Sequence, residues 1–214
     1  MIRTRIKFCG ITRVEDAQAA VAFGVDAIGL VLTQKSSRFA GIERAREIRR
    51  CLPPFVAAVV LFMDDDPVWI AQAIAEIAPD LLQFHGSETA VECVGYGCPY
   101  LKAVAMGSGP DVGAVVGRVV AAHPQAAGFL LDGHAAGEQG GSGKAFDWSR
   151  IPADLQRPLL LAGGLTCDNV GIAIRAARPY AVDVSSGIES APGIKDADKM
   201  RRFVDEVGRV CSKS

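Results

Sequence analysis

The stretch LLLAGGLTCDNVGIAIRAARPYAVDVSSG, residues 159–187, carries the pattern that decides the fold. It opens on an apolar run, Leu159–Ala162, of the length a buried strand needs and too short for a helix. Gly163-Gly164 ends that run, and an amphipathic segment over Asp168–Ala177 follows. A second β-branched run, Ala181–Ser185, again ends in small residues, Ser186-Gly187. A strand that leads through a helix into another strand is the repeat unit of a parallel sheet.

The same alternation extends back to the start of the chain. Strands are expected at Thr4–Cys9, Ala27–Leu32, Phe55–Phe62, Leu81–His85, Tyr100–Ala105 and Gly128–Asp132. Helices are expected at Val14–Phe23, Ile42–Cys51, Pro67–Ile77, Ser87–Val94, Val112–Ala122 and Phe146–Ile151, with a last one over Asp196–Val210. Asp66 before Pro67 reads as a helix cap, which gives the acidic run Asp64–Asp66 a structural role rather than a metal-binding one. Eight units of roughly 27 residues, with no break in composition, predict one (β/α)8 TIM barrel spanning residues 1–214 as a single catalytic domain. An open doubly wound sheet shares the alternation, but no G-x-G-x-x-G follows the first strand.

Composition narrows the function. The 23 basic and 24 acidic residues leave a net charge of −1, which gives no general attraction to nucleic acid or to an acidic membrane. No uncharged run approaches the roughly 20 residues of a membrane span, and the early basic residues leave no leader segment. A cytoplasmic protein is therefore expected. Its six cysteines lack any Cys-x-x-Cys pair and read as reduced thiols, and its three scattered histidines do not suggest a metal site. Glycine is unusually abundant, 23 of 214, and clusters between Gly128 and Gly193, as expected where backbone approaches a ligand.

In a barrel, chemistry sits where strands end. The expected strand ends are Cys9, Thr33, Met63, His85, Met106, Asp132, Gly163 and Ser185-Ser186. Cys9 is either an inert thiol or, if its pKa is lowered by cations at the mouth, a base. Asp132 follows three apolar residues and reads as a catalytic acid or a turn cap. Gly140-Gly141-Ser142-Gly143, Gly163-Gly164 and Ser185-Ser186-Gly187 together suggest a phosphate site on one rim. Arg38 is either a carboxylate fork or a solvated cation. Alternation puts Lys7 on the inward face with Cys9, and Asp183 with Ser185. If the barrel closes, Lys7 and Asp183 should pair across the seam, because a buried charge needs a partner.

These residues also carry a resemblance. Lys7-Phe8-Cys9-Gly10-Ile11-Thr12, Lys35-Ser36-Ser37-Arg38, Gln83-Phe84-His85-Gly86, Leu131-Asp132, Gly140–Gly143, Leu161–Leu165 and Asp183–Glu189 occur in the order found in phosphoribosylanthranilate isomerases, and the chain resembles that family over nearly its whole length. The resemblance implies an Amadori rearrangement in tryptophan biosynthesis, without metal or organic cofactor, on a phosphorylated sugar-anthranilate. It implies Asp132 as general acid and Cys9 as general base. Arg38, Gln83, His85 and Asp183 would contact substrate, and Gly141, Gly143, Gly163, Gly164, Ser185, Ser186 and Gly187 would hold phosphate. His85 reads equally as a turn residue before Gly86. Ser37, where a proline is frequent, leaves Arg38 less fixed, while Phe8 and Phe84 should face the helices. The histidine-pathway isomerase is a competing reading, disfavoured because that enzyme uses two aspartates; a non-catalytic phosphate binder would need neither Cys9 nor Asp132. A monomer or weak homodimer is expected.

Overall fold

The structure, a computed structural model, describes residues 3–106, 112–133, 151 and 157–212. Eight parallel strands, β1 (Arg5–Cys9), β2 (Ala27–Val31), β3 (Ala57–Phe62), β4 (Leu81–Phe84), β5 (Tyr100–Ala105), β6 (Gly128–Asp132), β7 (Leu159–Leu161) and β8 (Ala181–Val184), close into a barrel in chain order. Around them lie α1 (Val14–Ala22), α2 (Ile42–Cys51), α3 (Pro67–Ile77), α4 (Ala90–Gly95), α5 (Val112–Ala122), α6 (Val170–Ala177) and α7 (Ala197–Cys211). The expected helix at Phe146–Ile151 falls largely outside the described residues, as does the Gly140–Gly143 loop.

The strands are apolar on both faces because one face fills the barrel and the other meets the helices. In β3 every residue after Ala57 is buried. Helices bury one stripe each: Met200, Phe203, Val207 and Val210 recur at helical spacing along α7. Phe203 meets Phe8 of β1 edge to face at 6.0 Å, so Phe8 faces the helices as expected. Phe84 stacks on Tyr96, beyond α4, with the same orientation. The interior holds Leu101, Leu130, Leu160, Ala162 and Ala181 in one cluster and Cys9, Val31 and Leu61 in another.

Closure is made by β1 and β8, whose register sets Lys7 opposite Asp183. Their side chains form the expected ion pair, Lys7 Nζ to Asp183 Oδ1 at 2.9 Å, with both groups nearly inaccessible. Asp66 caps α3 as expected, accepting from Val68 N–H at 2.7 Å.

Local boundaries differ from the expectation where a competing interaction wins. β3 begins at Ala57, not Phe55: Pro53 and Pro54 have no N–H for a ladder, and Phe55 turns at φ 72° with its ring in solvent. α4 begins at Ala90, not Ser87. Asp64 ties up Ser87 through its N–H and hydroxyl, and Thr89 forms a capping box with Glu92. α6 begins at Val170, because Asn169 uses its side chain to accept from Thr166 N–H and donate to the Gly164 carbonyl. After β8 a short 3-10 turn (Ser186–Ile188) leads into an unexpected hairpin, β9 (Glu189–Ala191) and β10 (Ile194–Lys195). Among the described residues no helix is long and apolar enough to cross a membrane.

Candidate active site

β1 delivers Cys9 and Lys7 to the barrel interior, Cys9 uppermost and 7% exposed. β2 crosses them at Gly29, the register partner of Cys9. A Cβ there would lie 2.9 Å from Cys9 Sγ and 3.0 Å from Lys7 Nζ, so only a residue without a side chain leaves room for the thiol and the ammonium together. Burial is the strongest influence on Cys9 and pushes its pKa up; Lys7 and Lys195 pull it down and Asp183 pushes it up. The net direction is upward, so the lowering that cations at the mouth could bring does not prevail. Desolvation of a thiolate outweighs them. Lys7 itself sits above the ordinary lysine range: burial opposes its charge, but Asp183 and Cys9 outweigh it.

Arg38 is fixed, contrary to the looser position expected from Ser37. It forks onto Glu189, Nε to Oε1 at 2.7 Å and Nη2 to Oε2 at 2.8 Å. Its backbone N–H is held by Ser36 Oγ at 3.1 Å. Lys195 meets the same Glu189 Oε1 at 2.8 Å and donates to the Ser185 carbonyl at 3.2 Å. Burial would raise the Glu189 pKa, but Arg38 and Lys195 hold it below the usual carboxylate range. Burial dominates at Lys195 and pulls it down. Neither Glu189 nor Lys195 stood out in the sequence. Glu189 lies within the matching Asp183–Glu189 segment, while Lys195 sits in a two-residue strand that has no apolar pattern to betray it.

Across the mouth, Asp132 ends β6, with its carbonyl accepting from Met106 N–H at 2.8 Å. Gly163 comes close enough that a Cβ would sit 2.9 Å from Asp132 Oδ1 and collide with Gly133; its φ of 82° suits glycine. Gly187 packs its Cα onto the Leu165 carbonyl, joining the loops after β7 and β8. Gly163, Gly164, Ser185, Ser186 and Gly187 therefore share one rim. Gly141 and Gly143 lie outside the described residues.

Gln83 points inward from β4 and donates its amide N–H to His85 Nε2 at 2.5 Å. Burial lowers the His85 pKa most, with Lys7 adding to that effect and Asp132, Asp183 and Glu88 opposing it. A neutral ring accepting at Nε2 agrees with that direction. Asp183 is 6% exposed and committed to Lys7, so the structure places it beneath the thiol rather than at the open mouth. Among the described residues no group of three or more His, Cys, Asp or Glu side chains could hold a metal ion.

A closed (β/α)8 barrel that gathers a thiol, carboxyls, cations and glycine-lined turns at the ends of its strands defines a barrel enzyme. Residues 6–206 match the sequence model of N-(5'-phosphoribosyl)anthranilate (PRA) isomerase. The chain is 56% identical over 207 residues to the N-(5'-phosphoribosyl)anthranilate isomerase of Pseudomonas aeruginosa strain UCBPP-PA14, covering 97% of this chain and 96% of that one. The crystal structure of phosphoribosyl anthranilate isomerase from Thermotoga maritima is similar with a TM-score of 0.86 at 39% identity, over 96% of this chain and 99% of that one. A second solved isomerase, in complex with reduced 1-(o-carboxyphenylamino)-1-deoxyribulose 5-phosphate, matches with a TM-score of 0.83 at 36% identity over 96% and 99% of the two chains. The chain belongs to the N-(5'-phosphoribosyl)anthranilate isomerase family, and it is an isomerase of tryptophan biosynthesis.

Proposed function

We propose that the barrel mouth carries out the Amadori rearrangement of N-(5-phosphoribosyl)anthranilate by acid–base catalysis, with Asp132 as acid and Cys9 as base. The observation that carries this reading is the placement of a cation-flanked thiol at the end of β1 and a carboxyl at the end of β6, each facing the same mouth. Asp132, in its acid form, gives its proton to the ribose ring oxygen. The bond from C1 to that oxygen breaks, and the nitrogen lone pair closes an iminium to C1. The Cys9 thiolate then takes the C2 proton, and the electron pair forms the C1–C2 double bond as the iminium becomes an amine. The enolamine tautomerises, a proton adding at C1 and the C2 hydroxyl becoming the ketone. The iminium acidifies C2–H, so a thiolate is base enough, and each proton transfer contributes about 10²–10⁴-fold.

Arg38 meets the anthranilate carboxylate with Glu189 already fixing its plane, which supplies a preorganised fork instead of a floppy side chain. Gly163, Gly164, Ser185, Ser186 and Gly187 receive the phosphate on the rim after β7 and β8; the family resemblance assigns Gly141 and Gly143 to the same group. Gln83 and His85 border the sugar, and Asp183 acts from below through Lys7. The whole chain serves as one catalytic domain in the cytoplasm, a reducing compartment that suits its six free thiols.

Conversion of phosphoribosylanthranilate, followed optically, tests the reading. Cys9→Ala and Asp132→Asn should each lower kcat by about 10²–10⁴-fold with KM little changed. Near-full activity in both variants would remove them from the acid and base roles.

A further inference from the structure

Four charged groups act on Cys9, and a fifth, Glu189, is held by two of them. Lys7 comes from β1 beneath it, Asp183 from the neighbouring β8, Arg38 from the loop after β2, and Glu189 and Lys195 from the hairpin β9–β10. The remaining wall beside the thiol is uncharged, formed by Val31 of β2 and Leu61 of β3. Asp132 and Lys7 both act on the buried His85. An ammonium held beside the sulfur favours the thiolate over the thiol.

We propose that Lys7 is the positioning residue that makes Cys9 ionisable, its ammonium anchored by Asp183 and brought against the sulfur across Gly29. The proposal rests on the reading of Cys9 as the base and names what gives that base its strength. Lys7 keeps its own proton throughout; the thiol proton leaves to water before substrate binds, and the sulfur later collects the C2 proton. Lys7 suits this role better than Lys195, because Asp183 holds it charged whereas burial works against the charge of Lys195. Arg38, from the loop after β2, forks onto Glu189.

The test reads the sulfur directly. Full-length protein is alkylated with iodoacetamide across a pH series, and the rate at Cys9 is followed on its own peptide by mass spectrometry. In Lys7→Met/Asp183→Asn, which removes the pair without stranding a charge, the Cys9 titration midpoint should rise by about one pH unit, slowing alkylation at neutral pH about tenfold. Lys7→Arg, which keeps the charge, should stay near the wild-type midpoint. An unchanged midpoint in the double variant, or a Lys7→Arg midpoint displaced as far as the double variant's, would overturn the proposal. Alkylation needs no turnover, so a failure here is distinct from Cys9→Ala retaining activity, which would instead refute the base assignment.

Discussion

Cys9 and Gly29 show how two adjacent residues on neighbouring strands are chosen together. The thiol needs an ammonium beside it, and the ammonium fits only because β2 carries no side chain at the crossing point. Gly29→Ala should therefore strike both groups and the Cys9 backbone, destabilising the fold by about 1–3 kcal/mol in a denaturant titration and lowering activity as well. A second expectation concerns pH. The base must be deprotonated, and burial holds Cys9 above the ordinary thiol value. In Asp132→Asn, where no acid titrates, the residual kcat/KM should accordingly climb with pH through the alkaline side of neutrality, between about pH 7 and 9. A kcat/KM that falls over that span would contradict a thiolate base. Cys9 and Asp132 were legible from their position at the ends of apolar runs. Gly29 was not, since one glycine inside a strand looks like any other until the partner strand is known.

At the scale of elements, caps and competing polar side chains decide where helices start and stop. α3 ends on Ala78 in the left-handed region, φ 50°, with its side chain in solvent. Ala78→Gly should raise stability by about 0.5–1 kcal/mol, because glycine enters that conformation without strain. Thr89→Ala should do the opposite at α4, losing the capping box for about 1 kcal/mol. Both are read as shifts in denaturant midpoint. The hydrophobic periodicity gave the existence of these helices, yet it placed α4 three residues early. The missing information was Asp64, a residue from the loop after β3 that captures Ser87 and keeps it out of the helix. The hairpin β9–β10 escaped for a related reason: its two short strands pair with each other, so neither carries the apolar run that marks a strand of the barrel.

For the whole molecule the decisive contact is the seam. Lys7 and Asp183 lie 176 residues apart and meet only when β8 returns to β1. Removing one partner strands a buried charge, so Asp183→Ala should cost about 3–5 kcal/mol. Replacing both with apolar residues, Lys7→Met with Asp183→Leu, should recover most of that loss in the same denaturant titration. A double variant as unstable as the single one would mean that the pair contributes through geometry specific to these two side chains. Residual activity of the folded double variant should still be low, because the seam also carries the cation that serves Cys9.

The sequence by itself determined the eightfold alternation, the inward face of each strand and the strand-end residues, because these follow from the spacing of apolar side chains along one chain. It also marked the glycine-rich rim, since turns without side chains are visible as composition. Only the tertiary structure decided that Arg38 is gripped by Glu189, which Lys195 holds as well, that Gly29 makes space for a thiol–ammonium pair, and that burial leaves Cys9 harder to ionise than an exposed thiol. Those facts depend on distances and desolvation between groups far apart in the chain, and no local pattern encodes either one.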